Sequence, residues 1–155
     1  MGKSMPLAIL LVMVALLFVS WNNVTKYNTA IKQQYEQHLA AAKNYEEKQI
    51  YIDAVAEYEQ VLALDPDDYD VAMKIQELYR LLNTNGLYTE QYLAACERAK
   101  NIDPTKEEPH FLLINYYWDS KSIDTAYKYL KDAQTYFPDH EEIKANIKEI
   151  KGTYG

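Results

Sequence analysis

One cysteine, four glycines and three histidines are all that this 155-residue chain offers of the residue types that build disulfides, phosphate loops and metal sites. The lone Cys96 excludes an internal disulfide, and its place in the apolar pattern Tyr92–Ala99 makes it a small core residue rather than a reactive thiol. No glycine-rich loop is present to cradle a phosphate, and no nucleophile motif surrounds any serine or cysteine. His38, His110 and His140 are far apart, and the spacing supplies no further ligands for a shared metal. The chain is therefore expected not to be an enzyme and to carry no cofactor or metal. Basic residues are also scarce, 16 against 23 acidic, for a net charge of −7. An acidic surface without a basic stripe repels phosphate backbones, which excludes nucleic acid as the expected partner.

What the chain has in quantity is apolar and aromatic surface. Hydrophobic residues make up 48% of it, and tyrosine alone occurs 15 times. Such a composition can bury a core, and tyrosine suits half-buried helix faces and interfaces. The acidic clusters around Pro66 and Pro104 stand where helices start, and carboxylates there complement the helix dipole.

The longest apolar run extends from Met5 to Trp21, inside an uncharged interval between Lys3 and Lys26. As a helix that interval would span about 33 Å, enough for a bilayer core of about 30 Å. Trp21 would stand at the headgroup edge. No small-residue pair after the run offers a cleavage site, so residues 1–25 read as a retained transmembrane anchor and 26–34 as a helical spacer. Pro6 spoils a myristoylation signal, and no lipobox cysteine follows. Lys3 and the terminal amine favour a cytoplasmic N-terminus, with the remainder outside, as in a bacterial cell envelope.

Beyond the anchor the residues fall into a repeating ruler. Pro66, Pro104 and Pro138 each follow an amphipathic helix, at separations of 38 and 34 residues. Measured back from Pro66, the same offsets give Ala54, Tyr58 and Val61; from Pro138 they give Ala126, Leu130 and Ala133. From Pro104 they give Tyr92, Cys96 and Ala99, with Tyr92 oversized for its slot. Nine residues before the small slot stand Tyr45 and Tyr117, and Tyr79 is their counterpart, displaced by the longer loop Leu81–Tyr88.

This pattern resembles the tetratricopeptide repeat, a 34-residue helix-turn-helix unit. The resemblance covers about residues 35–138, and residues 140–151 read as a capping helix. It implies an all-α solenoid of about three repeats plus a cap, residues 35–152, preceded by the transmembrane helix. In that family the first helix of each unit lines a concave groove that docks a protein or peptide partner. Carried onto this sequence, the groove slots are Leu39, Lys43, Met73, Glu77, Arg80, Phe111, Asn115 and Trp118. Phe111 and Trp118 equally suit packing against the capping helix. The slots that would hold the cations of a chaperone-tail carboxylate clamp are Leu39, Met73 and Phe111, so that clamp is absent. The resemblance implies a membrane-anchored interaction module, a scaffold or assembly adaptor. The alternative is a structural stalk or homo-oligomerising module, with the terminal Gly-Thr-Tyr-Gly opening a further segment.

Overall fold

The computed structural model describes residues 7–154, and every element in it is a helix. They are α1 (Leu7–Glu47), α2 (Tyr51–Leu64), α3 (Tyr69–Leu82), α4 (Thr89–Ile102), α5 (Glu107–Asp119), α6 (Ile123–Tyr136) and α7 (Glu141–Tyr154). Each packs on the helix before it and the helix after it in the chain. That linear order is what a stack of helical hairpins requires, since no unit can bury its apolar face alone. The units are the C-terminal half of α1 with α2, then α3 with α4, then α5 with α6, and α7 closes the end.

The three prolines do the same local work. Each stands two residues beyond a helix end, where a residue without an N–H cannot continue the ladder. At the caps, the N–H groups of Asp65, Asp103 and Phe137 donate to the carbonyls of Val61, Ala99 and Ala133. Three residues on, the N–H groups of Asp68, Lys106 and His140 donate to the carbonyls of those same cap residues. One turn geometry is thus used three times. At the other turn of each unit the backbone needs a positive φ, which Gln49 (60°), Gly86 (76°) and Lys121 (57°) supply. Ile50 and Ser122 there donate back five residues, to Tyr45 and Tyr117, closing the first helix by a reverse bond.

The slots measured back from each proline are buried: Ala54, Tyr58 and Val61, then Tyr92, Cys96 and Ala99, then Ala126, Leu130 and Ala133, while Tyr45, Tyr79 and Tyr117 are half-buried. Tyr92, the oversized occupant, packs with Cys96 and Leu113 in a small cluster joining the second unit to the third. Burial drives the Cys96 thiol well up, to about 12, so it stays protonated and inert. The helix pairs are also stitched outside the core. Arg98 bonds Glu59 at 2.6 Å, Lys100 bonds Asp132 at 3.0 Å, and the Tyr129 hydroxyl donates to Glu97.

The N-terminal expectation is overturned. Among the described residues no helix is long and apolar enough to cross a membrane. The apolar run belongs to α1, a single 41-residue helix, in which residues 7–21 of that run are described. Those would extend about 22 Å at 1.5 Å per residue, short of the roughly 30 Å core, and then pass without a break into Asn22, Asn23 and Thr25. The transmembrane helix, the single-pass placement and the outward-facing domain derived from it therefore fall. Residues 1–6, including Lys3 on which the orientation rested, lie outside the described residues.

Candidate functional site

On one face of the solenoid, side chains of the first helices reach across from unit to unit. Lys74 on α3 bonds Glu46 of α1 at 3.2 Å and Glu77 of its own helix at 3.0 Å. Glu46 also accepts from the Tyr58 hydroxyl at 2.8 Å. That bond and burial, burial first, hold the Tyr58 phenol far above its ordinary range.

Between α3 and α5 this face opens into a cleft of about 500 Å³ lined by Tyr69, Asp70, Met73, Lys74, Gln76, Glu77, Arg80, Glu108 and Leu112. Met73 and Leu112 supply the apolar floor. Asp70 and Glu108 hold equivalent places in the first turns of their helices. Arg80 stands at the opposite end of α3 and forms no ion pair among the described residues.

Of the groove residues expected from the sequence, Met73, Glu77 and Arg80 share this cleft. Lys43 borders a neighbouring recess with Glu46, Glu47, Tyr58 and Lys74. Leu39 packs against the core of the first two units. Phe111 and Trp118 pack on the cluster built by Ile143, Ile147 and Ile150 of α7, with the Phe111 ring 5.0 Å from His140. Asn115 is exposed. The structure brings three of the eight into one cleft and sets the two aromatics against the cap.

Tyr69, Asp70, Lys74, Gln76, Glu108 and Leu112 were not read from the sequence as groove residues. For Gln76 a signal existed. Residues 42, 76 and 114 share one slot of the ruler; the outer two are the buried Ala42 and Ile114, whereas the middle one is an amide. A polar residue where both sister units are apolar is the kind of local inconsistency that marks a working position.

A larger recess, about 630 Å³, lies between α1 and the end of α2, walled by residues such as Tyr27, Ile31, Tyr35 and Leu64. Its one fixed feature is structural: the Tyr35 hydroxyl donates to Asp68, whose other carboxylate oxygen caps α3 at Val71. None of the buried polar atoms that lack a partner lies there. The histidines are structural too. His38 bonds Glu57 at 2.6 Å, and Nε2 of the buried His110 donates to the Pro104 carbonyl at 3.0 Å. No group of three or more His, Cys, Asp or Glu stands close enough to hold a metal ion among the described residues.

No protein-family model matches the chain, and no curated protein matches it in sequence. Solved structures do match in shape. The first tetratricopeptide-repeat domain of Spaghetti (RPAP3), bound to the HSP90 peptide SRMEEVD, is 13% identical over 77% of this chain and 94% of its own, with a TM-score of 0.50. The TPR2B domain of yeast Sti1, in a complex with pHsp70, is 17% identical over 77% of this chain and 98% of its own, with a TM-score of 0.51. At these identities the likeness shows the fold: an all-helical solenoid similar to tetratricopeptide-repeat domains.

Proposed function

We propose that the chain is a non-enzymatic docking module, a scaffold or assembly adaptor whose unit of residues 35–152 holds an extended segment of a partner protein in the cleft between α3 and α5. One observation carries this reading: Met73 and Leu112 leave an apolar floor open between α3 and α5, rimmed by charged side chains whose carboxylates at Asp70 and Glu108 have no partner in an ion pair among the described residues. Apolar anchors within a polar rim are the pattern by which a groove grips a peptide. The two solenoids of similar shape are complexes with chaperone-derived partners, one of them a peptide, which supports binding as the use of this fold here. The carboxylate clamp is not carried over, since Leu39, Met73 and Phe111 stand in its cation slots.

The test compares the full chain with Leu112→Glu on an array of random octapeptides. Leu112 lines the cleft and also packs at the edge of the Tyr92, Cys96 and Leu113 cluster, so a carboxylate there spoils the apolar floor and the helical signal must be checked alongside binding. The wild type retains a subset of peptides, and the variant loses that subset while keeping its helical circular dichroism. A wild type that retains no peptide defeats the reading. A second reading, self-association, is favoured by the open flank of α1, where Phe18 is 71% and Trp21 72% exposed. It predicts oligomers that grow with concentration in sedimentation runs without any peptide.

A further inference from the structure

Among the described residues, three buried side-chain polar atoms lack a hydrogen-bond partner: the amide nitrogen of Gln76, Nδ1 of His110 and Nδ1 of His140. Of these three residues, Gln76 alone lines the α3–α5 cleft. Its side chain is 4% exposed, and its nitrogen has no hydrogen-bond partner. A buried donor without an acceptor costs stability, so a fold that keeps one in a slot otherwise filled by Ala42 and Ile114 gives up stability there. The residue lines the α3–α5 cleft. The last torsion of a glutamine is soft, so a small rotation turns the nitrogen toward an acceptor lying on the cleft floor. Nearby, Tyr92 feels both Gln76 and Arg80, which act to lower its proton affinity against the larger, opposite effect of burial. The Gln76 amide thus lies close enough to that phenol to donate weakly, but it makes no hydrogen bond of good geometry there.

The cleft is also graded along its length. Six residues, or about 9 Å, separate Asp70 from Gln76 along α3, and Arg80 lies about 6 Å further. Lys74, between them, is neutralised by Glu46 and Glu77. Asp70 and Glu108 thus make one end acidic, beside the Tyr69 ring, whose hydroxyl is raised first by burial and then by Glu108, Asp103 and Asp70. Lys106 of the chain itself stands over that ring at 5.8 Å, so an incoming cation would meet the two carboxylates rather than the ring face.

Resting on the docking reading above, we infer that the occupant is an extended peptide with a lysine or arginine at the Asp70–Glu108 end and a backbone carbonyl, about three residues away, accepting from Gln76. An extended chain covers that 9 Å in about three residues. The intervening side chain sits on Met73 and Leu112. The charge is complementary, and the buried amide gains the acceptor it lacks in the free protein.

The experiment uses acetylated, amidated octapeptide pools, random except for one fixed Lys, Glu or Leu, and the full-length chain. Pools with fixed Lys bind about tenfold more tightly than pools with fixed Glu, and the pair Asp70→Asn with Glu108→Gln erases that preference. Gln76→Leu weakens every bound pool about tenfold, equivalent to about 1.4 kcal/mol, while its urea midpoint rises because the orphaned donor is gone. Gln76→Met serves as the second variant, removing the amide with a more adaptable side chain. Equal binding of Lys and Glu pools overturns the inference, as does wild-type affinity in both Gln76 variants. If Leu112→Glu still abolishes that binding, docking stands and only its chemistry is wrong. If no pool binds the wild type, both fall.

Discussion

Leu130→Ala lowers the unfolding free energy by about 2–5 kcal/mol, the range for removing a fully buried leucine from a core that cannot collapse around the hole. Leu130 is 0% exposed and lies between Ile114 of α5 and the Ile143–Ile150 face of α7. The cavity therefore opens at the joint between the last hairpin and its cap, where each helix has only its chain neighbours to lean on. In a linear stack a loss of this size is felt first locally, so the third unit and α7 lose amide protection before α1 to α3 do. Urea unfolding gives the magnitude, and hydrogen exchange gives the place. A change under 1 kcal/mol, or uniform loss of protection along the chain, would contradict the linear architecture.

Alkaline pH unfolds the protein, and the sign follows from two neighbouring buried groups. Burial raises Cys96 from an ordinary 9.0 to about 12, and Tyr92 from 10.0 to about 12. For Tyr92 the adjacent Cys96 adds to the effect, while Gln76 and Arg80 oppose it. Both groups hold their protons more tightly when folded than when unfolded, so the unfolded chain binds fewer protons as pH rises. The stabilisation is fully present below about pH 9 and is lost progressively between about 9 and 12. A tenfold difference in proton affinity is worth about 1.4 kcal/mol, so the total loss is on the order of a few kcal/mol. Urea midpoints measured from pH 7 to 12 are flat up to about 9 and then fall. Tyr92→Phe, which removes one of the raised ionisations, retains more of its neutral-pH stability at pH 11 than the wild type does. A midpoint that stays level to pH 12 would show that neither group ionises on unfolding.

How far the residues disclose the fold depends on whether the information is local. The small slots Ala54 and Ala126, the tyrosine slots and the three prolines obey one ruler because each answers a backbone or packing need that recurs in every hairpin. Those were legible. The end of a unit's first helix at Gln49 and Lys121 was not, because positive φ there falls on residues that rarely adopt it. The apolar N-terminal run misled because hydropathy alone does not say where a helix begins or what it continues into. In α1 the run passes into a long polar helix and falls short of a bilayer's thickness.

The candidate site was legible only in part. Met73, Glu77 and Arg80 share α3, so their common face follows from helical periodicity. Phe111 and Trp118 project to the same side by the ruler, yet α7 competes for their apolar area. Leu112 and Glu108 line the cleft because the third unit stacks on the second, which no single-helix periodicity records. Gln76 was visible as an exception to the ruler, although its missing bond is a property of three-dimensional packing.

The most direct measurement places a photo-crosslinker, benzoylphenylalanine, at position 112 in the cleft, and at the exposed position 131 on α6 as control. Each full-length protein is irradiated with the octapeptide pools and the adducts are read by mass spectrometry. Docking between α3 and α5 predicts peptide adducts at 112 that unlabelled binding peptides compete away, and none at 131. Equal adducts at both positions, or adducts only between copies of the chain, would show that the cleft is not where this protein meets its partner.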